Sequence, residues 1–373
     1  MYQSQLDQIV RRMQANIDCG WVPGVVLQLE HEGDVVLQSA LGMADREAGR
    51  PMRDDTIFRL ASMTKPVTAV AVLMLYEAGE LQLADPVGRY LPSFVDDQIT
   101  IRRLLTHTSG VHRGPPGGDV DRAYDAADPY GQGRPIRQVA DRLATLPLAY
   151  VPGEQYAYDA GGFRILAALV EEIAGQTFDR FLQERVFDPL GMVDCGYRVP
   201  SSKGERLAGH YRYVADDETI RIDNGRPDRA DVERPLASGS GGLYGTVADY
   251  ARFAQMLARG GTLEGARLLG PQTVALMCRD HLRPDLLPLR MPEYPDIAPG
   301  YSQGLGVGVL VDPVAAGYPG AAGEIMWTGS NGTYFFVARR EQLVGVLMYQ
   351  MEPSRHLPMR RQFRVMSYSA LER

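Results

Sequence analysis

The chain has 373 residues and a net charge of −7, with 45% hydrophobic and 23% charged residues. This composition is typical of a globular protein and excludes a disordered, collagenous or fibrous chain. The acidic balance argues against nucleic acid as a partner, because that affinity comes mainly from Lys and Arg side chains that neutralise phosphates. At this length we expect one large composite domain or two closely joined ones.

The N-terminal part is predicted to be a helix followed by a β-hairpin. Apolar residues from Leu6 to Ile17 recur at a helical period instead of forming the continuous apolar run of a signal peptide. Two β-rich runs, 25–30 and 35–40, flank a Glu-Gly-Asp turn. No run approaches the roughly 18 apolar residues of a membrane span, and the three cysteines lack disulfide or zinc spacing. We expect a cytoplasmic protein with no membrane partner and no metal.

The remaining elements divide into a helical middle and a strand-rich end. A short strand at 56–60 precedes an apolar helix over 62–78. Further helices are predicted at 100–107, 135–146, 160–175, 177–187, 246–259 and 271–277. Strand-like runs follow at 306–311, 324–327, 333–338 and 343–350, and then an amphipathic helix at 355–371. Two Pro/Gly-rich stretches, 113–135 and 283–304, are expected to be long surface loops.

Strands near both ends of the chain, with helices between them, predict an α+β fold in which the two termini meet in one layered structure. Residues 1–75 and 235–373 are expected to form an α/β domain, and residues 76–234 a mostly helical domain. The active site is expected in the cleft between the two.

The sharpest chemical signal is Ser62-Met63-Thr64-Lys65, an S-x-x-K pattern at the start of the predicted apolar helix. Helix positions three apart share a face, so the Ser62 hydroxyl and the Lys65 amine can come within hydrogen-bonding reach. A lysine enclosed in a cleft loses part of its preference for the charged form and can assist removal of the serine proton. The helix N-terminus also favours a developing oxyanion. Ser62 is therefore the predicted nucleophile.

Other chemical patterns are weaker. The stretch 300–304 is formally G-x-S-x-G, but the nucleophile elbow of α/β-hydrolases requires a strand before it and a helix after it. Here prolines precede Ser302 and a β-like run follows. His107 is expected to be structural, since a Ser–His–Asp triad needs a histidine with an orienting carboxylate. The sequence contains neither H-E-x-x-H nor a phosphate loop ending in lysine, so no metal or cofactor is implied.

Six ordered blocks carry a family resemblance. They are FRLASMTK at 58–65, LLTHTSG at 104–110, PGEQYAY at 152–158, PLGM at 189–192, GSGGL at 239–243 and MWTGSNGT at 326–333. In these blocks the chain resembles the serine β-lactamase and penicillin-binding-protein superfamily, above all family VIII carboxylesterases and class C β-lactamases. The resemblance implies a β-lactamase-like fold, with an antiparallel sheet flanked by N- and C-terminal helices plus a mostly helical domain.

The same resemblance implies a second catalytic residue. Tyr158 follows the Pro-Gly turn where the family has its catalytic tyrosine, and it would act as a base for Ser62 and later for water. A phenol near a lysine ammonium is more easily deprotonated, which suits that role. Tyr156 is the rival and is expected to be a packing residue.

The third motif differs from that of β-lactamases. Trp327-Thr328-Gly329 stands where they have K-T-G and is similar to the W-x-G of family VIII esterases, so Trp327 and Gly329 are expected to bind substrate. The N–H groups of Ser62 and Ser330 are expected to form the oxyanion hole. The family's Y-x-N is here Tyr158-Asp159-Ala160.

Together these features predict a serine hydrolase that cleaves short-chain carboxylic esters through an acyl-enzyme on Ser62, with a small-molecule ester as its partner. β-Lactam hydrolysis, D-amino-acid peptide or amide hydrolysis and acyl transfer would use the same residues and stay open. A non-enzymatic acylation sensor that deacylates negligibly is the alternative from another class. The sequence indicates neither the natural substrate nor an oligomeric state.

Overall fold

The computed structural model describes residues 1–127, 134–214, 219–222, 237–289, 299–354 and 357–372. The helices are α1 (Gln3–Asp18), α2 (Thr64–Glu77), α3 (Ile101–Leu105), α4 (Asp119–Ala127), α5 (Ile136–Ala144), α6 (Gly161–Ala174), α7 (Phe178–Leu182), α8 (Asp188–Leu190), α9 (Val247–Ala258), α10 (Pro271–Met277), α11 (Pro313–Ala316) and α12 (Met359–Ser369). The strands are β1 (Gly24–His31), β2 (Asp34–Asp45), β3 (Arg50–Pro51), β4 (Phe58–Arg59), β5 (Tyr211–Val214), β6 (Thr219–Ile222), β7 (Tyr244–Gly245), β8 (Thr262–Leu263), β9 (Ala266–Arg267), β10 (Tyr301–Gln303), β11 (Gly308–Leu310), β12 (Ile325–Thr328), β13 (Tyr334–Ala338), β14 (Leu343–Met348) and β15 (Met351–Glu352).

The main sheet joins the two ends of the chain. In the described residues it has eight antiparallel strands in the order β10-β11-β12-β13-β14-β1-β2-β3. β1 lies beside β14, with Val26 opposite Met348 and His31 opposite Leu343. The first hairpin is therefore paired with the last one, which confirms both the α+β fold class and the predicted meeting of the termini.

Helices cover both faces of this sheet. Neighbouring residues of a strand point to opposite faces. Phe335 of β13 contacts Tyr250 of α9, with ring centroids 5.1 Å apart, whereas Phe336 contacts Phe363 of α12 at 6.1 Å. α1 packs beside α12. The N- and C-terminal helices consequently share one face, and α9 covers the other.

The apolar helix predicted over 62–78 forms part of the core. Every residue of α2 from Thr64 to Leu73 is buried, as expected for a helix that is apolar on nearly all sides. It packs against α6. At its start, the hydroxyl of Tyr250 in α9 donates to the carbonyl of Met63 at 2.8 Å. Helix α9 therefore connects the sheet to the turn that carries Ser62.

Both stretches expected to be loops contain regular structure. α4 lies within 113–135, where Arg113 pairs with Asp121 and Asp125, and β10 lies within 283–304 as a buried edge strand. Strands β5 and β6 were also not predicted. Residues 128–133 and 290–298 of the two stretches lie outside the described residues, as do the proposed domain boundary at 234/235 and the expected start of the last helix at 355.

The division into an α/β domain and a helical domain stays a prediction. In the described ranges, no helix combines the length and apolar character that crossing a membrane requires.

Candidate active site

Ser62 lies on a strained turn directly before α2. The turn is a 3₁₀ helix, Ala61–Met63, that runs into Thr64 without a break. Ala61 has a φ of +49°, in the left-handed region that residues other than glycine rarely adopt. Backbone strain of this kind persists only where the surroundings hold it, and it clusters at functional sites. Here it presents a half-buried Ser62 at the N-terminus of a buried helix.

Two polar side chains converge on the Ser62 hydroxyl. Lys65 Nζ donates to Ser62 Oγ at 3.2 Å, and the Tyr158 hydroxyl donates to the same oxygen at 2.7 Å. Lys65 Nζ also donates to the carbonyl of Ser240 at 2.9 Å and lies 4.8 Å from the centroid of the Tyr158 ring. The structure thus brings together all three residues that the sequence suggested as catalytic.

The environment of Lys65 favours the neutral amine. Its side chain is only 1% exposed, and burial lowers the pKa of Lys65 from 10.5 to about 7. The negative charge of Asp159 opposes this decrease, and the positive charge of Arg164 adds to it. Near neutral pH the amine next to Ser62 can therefore both accept and return a proton.

Tyr156 and Ser302, the alternative candidates from the sequence, form their hydrogen bonds away from Ser62. Tyr156 donates its hydroxyl to the side-chain oxygen of Gln303 at 3.1 Å. Ser302, from the G-x-S-x-G pattern, has no exposed surface and donates to the carboxylate of Asp280. It lies on β10, a strand of the main sheet, and not between a strand and a helix. A substrate cannot reach it without local unfolding.

The end of β12 passes close to the nucleophile turn. A Cβ atom on Gly329 would lie 2.5 Å from the carbonyl oxygen of Leu60 and 2.1 Å from Thr333 Oγ1, so this approach requires glycine. Arg360 of α12 donates to the carbonyl of Gly329 at 2.7 Å. In a trans peptide the C=O and the following N–H point in opposite directions, and the N–H of Ser330 consequently points away from Arg360. Its role in an oxyanion hole stays a prediction.

Trp327 lies beneath the site. Its side chain is 2% exposed, and its ring stacks on the His107 imidazole with centroids 6.1 Å apart and planes 7° apart. The Tyr158 ring lies 5.8 Å from it. In this structure the indole therefore contacts protein on nearly all sides, and direct substrate binding by Trp327 stays a prediction.

Sequence reasoning missed two contacts of the site. Ser240 contributes its backbone carbonyl, which no residue type marks, although the matching block at 239–243 could have drawn attention to it. Arg360 is one of 39 Lys and Arg residues, and nothing in the sequence distinguishes it. Among the described residues, no group of three or more His, Cys, Asp and Glu side chains is arranged to hold a metal ion.

Comparisons with known proteins identify the family of the chain. A family model described as beta-lactamase matches residues 6–365. The chain is 35% identical over 344 residues to the esterase EstB of Burkholderia gladioli, covering 85% of this chain and 83% of that protein. It is 33% identical over 359 residues to protein Rv1367c of Mycobacterium tuberculosis, covering 90% and 88%. The solved structure of EstCE1, described as a hydrolase with promiscuous acyltransferase activity, has a TM-score of 0.83 and 26% identity over 98% of each chain.

Proposed function

The chain belongs to the beta-lactamase family, and from that premise we propose that it is a serine hydrolase that cleaves short-chain carboxylic esters through an acyl-enzyme on Ser62. The observation that carries the proposal is the pair of hydrogen bonds that Ser62 Oγ receives from Lys65 and Tyr158. A hydroxyl with two proton-transfer groups in contact is equipped for nucleophilic attack.

In the acylation step the Ser62 oxygen attacks the ester carbonyl carbon while its proton passes to the Lys65–Tyr158 pair, either directly to neutral Lys65 or through the Tyr158 hydroxyl, which gives its own proton to Lys65 as it accepts the one from Ser62. The carbonyl electron pair moves onto oxygen, and the N–H groups of Ser62 and Ser330 stabilise the resulting oxyanion. When the tetrahedral intermediate collapses, the C–O bond to the alcohol breaks. The alkoxide takes the proton from the Lys65–Tyr158 pair and leaves as the alcohol.

Deacylation repeats these steps with water in place of Ser62. The Lys65–Tyr158 pair accepts a proton from the water as it attacks the acyl carbon. The bond to Ser62 Oγ then breaks, the proton returns to Ser62, and the carboxylic acid is released. An acylation sensor would stop before this stage.

The preference for uncharged esters rests on the two departures from the β-lactamase pattern. Trp327 occupies the place of the K-T-G lysine, and Ala160 occupies the place of the Y-x-N asparagine. The one other lysine in the chain, Lys203, pairs with Asp194 at 2.7 Å. The likeness to EstB, an esterase, supports the same choice, whereas the likeness to EstCE1, a hydrolase with promiscuous acyltransferase activity, is equally compatible with acyl transfer.

Replacement of the nucleophile tests the proposal. Ser62→Ala should reduce turnover of p-nitrophenyl butyrate by several powers of ten, because the attacking oxygen is lost. Ser302→Ala is the matched control: it removes the serine of the competing motif and should keep most of the activity. Mass spectrometry after treatment with a fluorophosphonate should find the adduct on the peptide that contains Ser62. An adduct on Ser302 instead would refute the assignment.

A further inference from the structure

His107 holds the backbone on both sides of the catalytic tyrosine. Its carbonyl accepts the N–H of Ala157 at 3.0 Å, and its ring nitrogen Nδ1 accepts the N–H of Asp159 at 3.2 Å. Tyr158 is the residue between these two. One residue from the loop after α3 thereby fixes the two peptide groups that flank Tyr158.

The imidazole also supports the phenol ring itself. The centroids of His107 and Tyr158 lie 4.9 Å apart, and Phe163 and Trp327 contact other sides of the imidazole at 5.1 and 6.1 Å. His107 is only 3% exposed. The ring that faces Tyr158 is therefore itself held in place by packing, which leaves Tyr158 little freedom to move away from Ser62.

The hydrogen bond from Asp159 also defines the protonation state of His107. A nitrogen that accepts a hydrogen bond carries no proton, so the neutral ring has its proton on Nε2. Burial, and then the positive charge of Lys65, keep the pKa of His107 well below its ordinary value. In the described part of the chain, Nε2 has no hydrogen-bond partner. Among the described residues, His107 therefore takes part in a hydrogen bond through its acceptor Nδ1 and not through its donor Nε2.

We propose that His107 is a positioning residue that holds the Tyr158 hydroxyl against Ser62, mainly through the Nδ1 acceptor, to which the ring contact adds a smaller part. Its hydrogen bonds and ring contacts go to the Tyr158 segment and to the packing around it, and so it acts through Tyr158. The inference rests on the proposed function in one respect, that Tyr158 serves Ser62 as a proton-transfer group.

Two substitutions of His107 separate positioning from general packing. Asparagine can place an oxygen acceptor near the position of Nδ1 and tolerates the left-handed backbone that His107 adopts, with a φ of +55°. Glutamine reaches the position of Nε2 and leaves the N–H of Asp159 without its acceptor. Because a misplacement of about 1 Å can reduce the rate about a hundredfold, His107→Gln should lower kcat for p-nitrophenyl butyrate by about that factor with little change in KM. His107→Asn should stay within about tenfold of the wild type.

The rate at which a fluorophosphonate labels Ser62 provides a second readout that does not depend on ester preference. His107→Gln should slow this labelling, but in a Tyr158→Phe background the same change should add little, because no catalytic phenol remains to be positioned. A merely structural role would instead lower the rate by a similar factor in both backgrounds. Melting temperatures of all variants monitor folding.

The outcomes distinguish the two proposals. If wild-type Ser62 is not labelled, the proposed function fails. If Ser62 is labelled equally fast in the wild type and in His107→Gln, the positioning role fails while the proposed function stands. If His107→Gln does not fold, His107→Asn decides the question, since a folded asparagine variant with a hundredfold loss would overturn the role assigned to the Nδ1 acceptor.

Discussion

Folding changes the acid–base chemistry of Lys65, the amine that contacts the nucleophile. Burial lowers the pKa of Lys65 from 10.5 to about 7, because an ammonium ion removed from water loses its hydration. Near neutral pH the amine next to Ser62 can therefore lose its proton, which an exposed lysine does only at a much higher pH. The charge on Lys65 then depends on pH within the range in which the enzyme is expected to work.

The sign of the resulting pH dependence follows from which form is active. As pH rises through about 7, Lys65 loses its proton and becomes able to accept the one from Ser62. The kcat/KM for p-nitrophenyl butyrate should therefore rise with pH, with a midpoint near 7, and level off above it. Initial rates from about pH 5.5 to 9 test this, with the rate of Ser62→Ala subtracted as background.

The matched control for this profile is Lys65→Arg. It keeps the positive charge but stays protonated throughout the range, so it should be at least about a hundredfold less active and show no midpoint near 7. A wild-type profile that is flat between pH 6 and 8 would contradict the role assigned to Lys65.

Contacts between residues that are close along one helix could be predicted from the sequence, whereas contacts between distant residues or with backbone atoms could not. Helix geometry makes Ser62 and Lys65 neighbours, so their spacing alone predicted the 3.2 Å contact. Tyr158 is 96 residues away from Ser62, and only the family resemblance could suggest it. The hydrogen bonds that the carbonyls of His107 and Ser240 accept involve backbone atoms, which every residue has.

Among the elements, the turn before α2 and the segment that follows β12 carry the two N–H groups, of Ser62 and Ser330, that we propose as the oxyanion hole. Gly329 directly follows β12 and lies close to the carbonyl of Leu60, and Thr333 Oγ1 donates to that same carbonyl at 3.0 Å. The N–H of Gly329 donates to the carbonyl of Thr333 at 2.8 Å. A side chain at Gly329 would therefore push the β12–β13 connection, and Ser330 with it, away from Ser62.

Gly329→Ala tests this close approach. The added methyl group conflicts with Leu60 and Thr333, so Ser330 should shift and kcat should fall by about a hundredfold, the loss typical for one oxyanion donor. Gly204→Ala is the matched control, because a Cβ there would meet nothing within 4 Å; its activity should be unchanged. Both variants are compared by kcat and by melting temperature, and wild-type kcat in a folded Gly329→Ala variant would exclude the proposed oxyanion donor.

Elements with a long periodic pattern were predicted well, and short ones were not. α1, α2 and the β1–β2 hairpin follow from their patterns of apolar residues. β10 spans only Tyr301–Gln303 between glycines and becomes a strand through its pairing with β11, where Ser302 lies opposite Val309. The composition of residues 300–304 contains no information about β11 as a pairing partner. The G-x-S-x-G pattern there formally matched the nucleophile elbow of α/β-hydrolases instead of a strand.

Across the whole molecule, the order of elements explains how distant segments form one site. β1 pairs with β14, which joins the ends of the chain in one sheet. β4 pairs with β7, with Phe58 opposite Gly245, and this brings the block at 239–243 next to the nucleophile turn. The pattern of strands, helices and strands predicted that the two ends of the chain meet in one layered structure, but not which strands pair. The second involves two-residue strands and could not be predicted from periodicity.

The choice between ester and β-lactam substrates belongs to this scale, because we expect it to depend on the side chains that surround the nucleophile turn and not on the turn itself. In a β-lactamase the K-T-G lysine provides positive charge toward the substrate carboxylate, whereas here the position is Trp327 and Lys203 is paired with Asp194. Loss of such a contact weakens the binding of a β-lactam by about 1–3 kcal/mol. Ala160 stands in place of the Y-x-N asparagine, and so a second contact is lost as well. We expect kcat/KM for p-nitrophenyl butyrate to exceed that for nitrocefin at least about a hundredfold on the same preparation. Ser62→Ala should abolish both activities, which assigns them to one site. If nitrocefin were turned over equally well or better, the ester preference would be wrong while the role of Ser62 would stand.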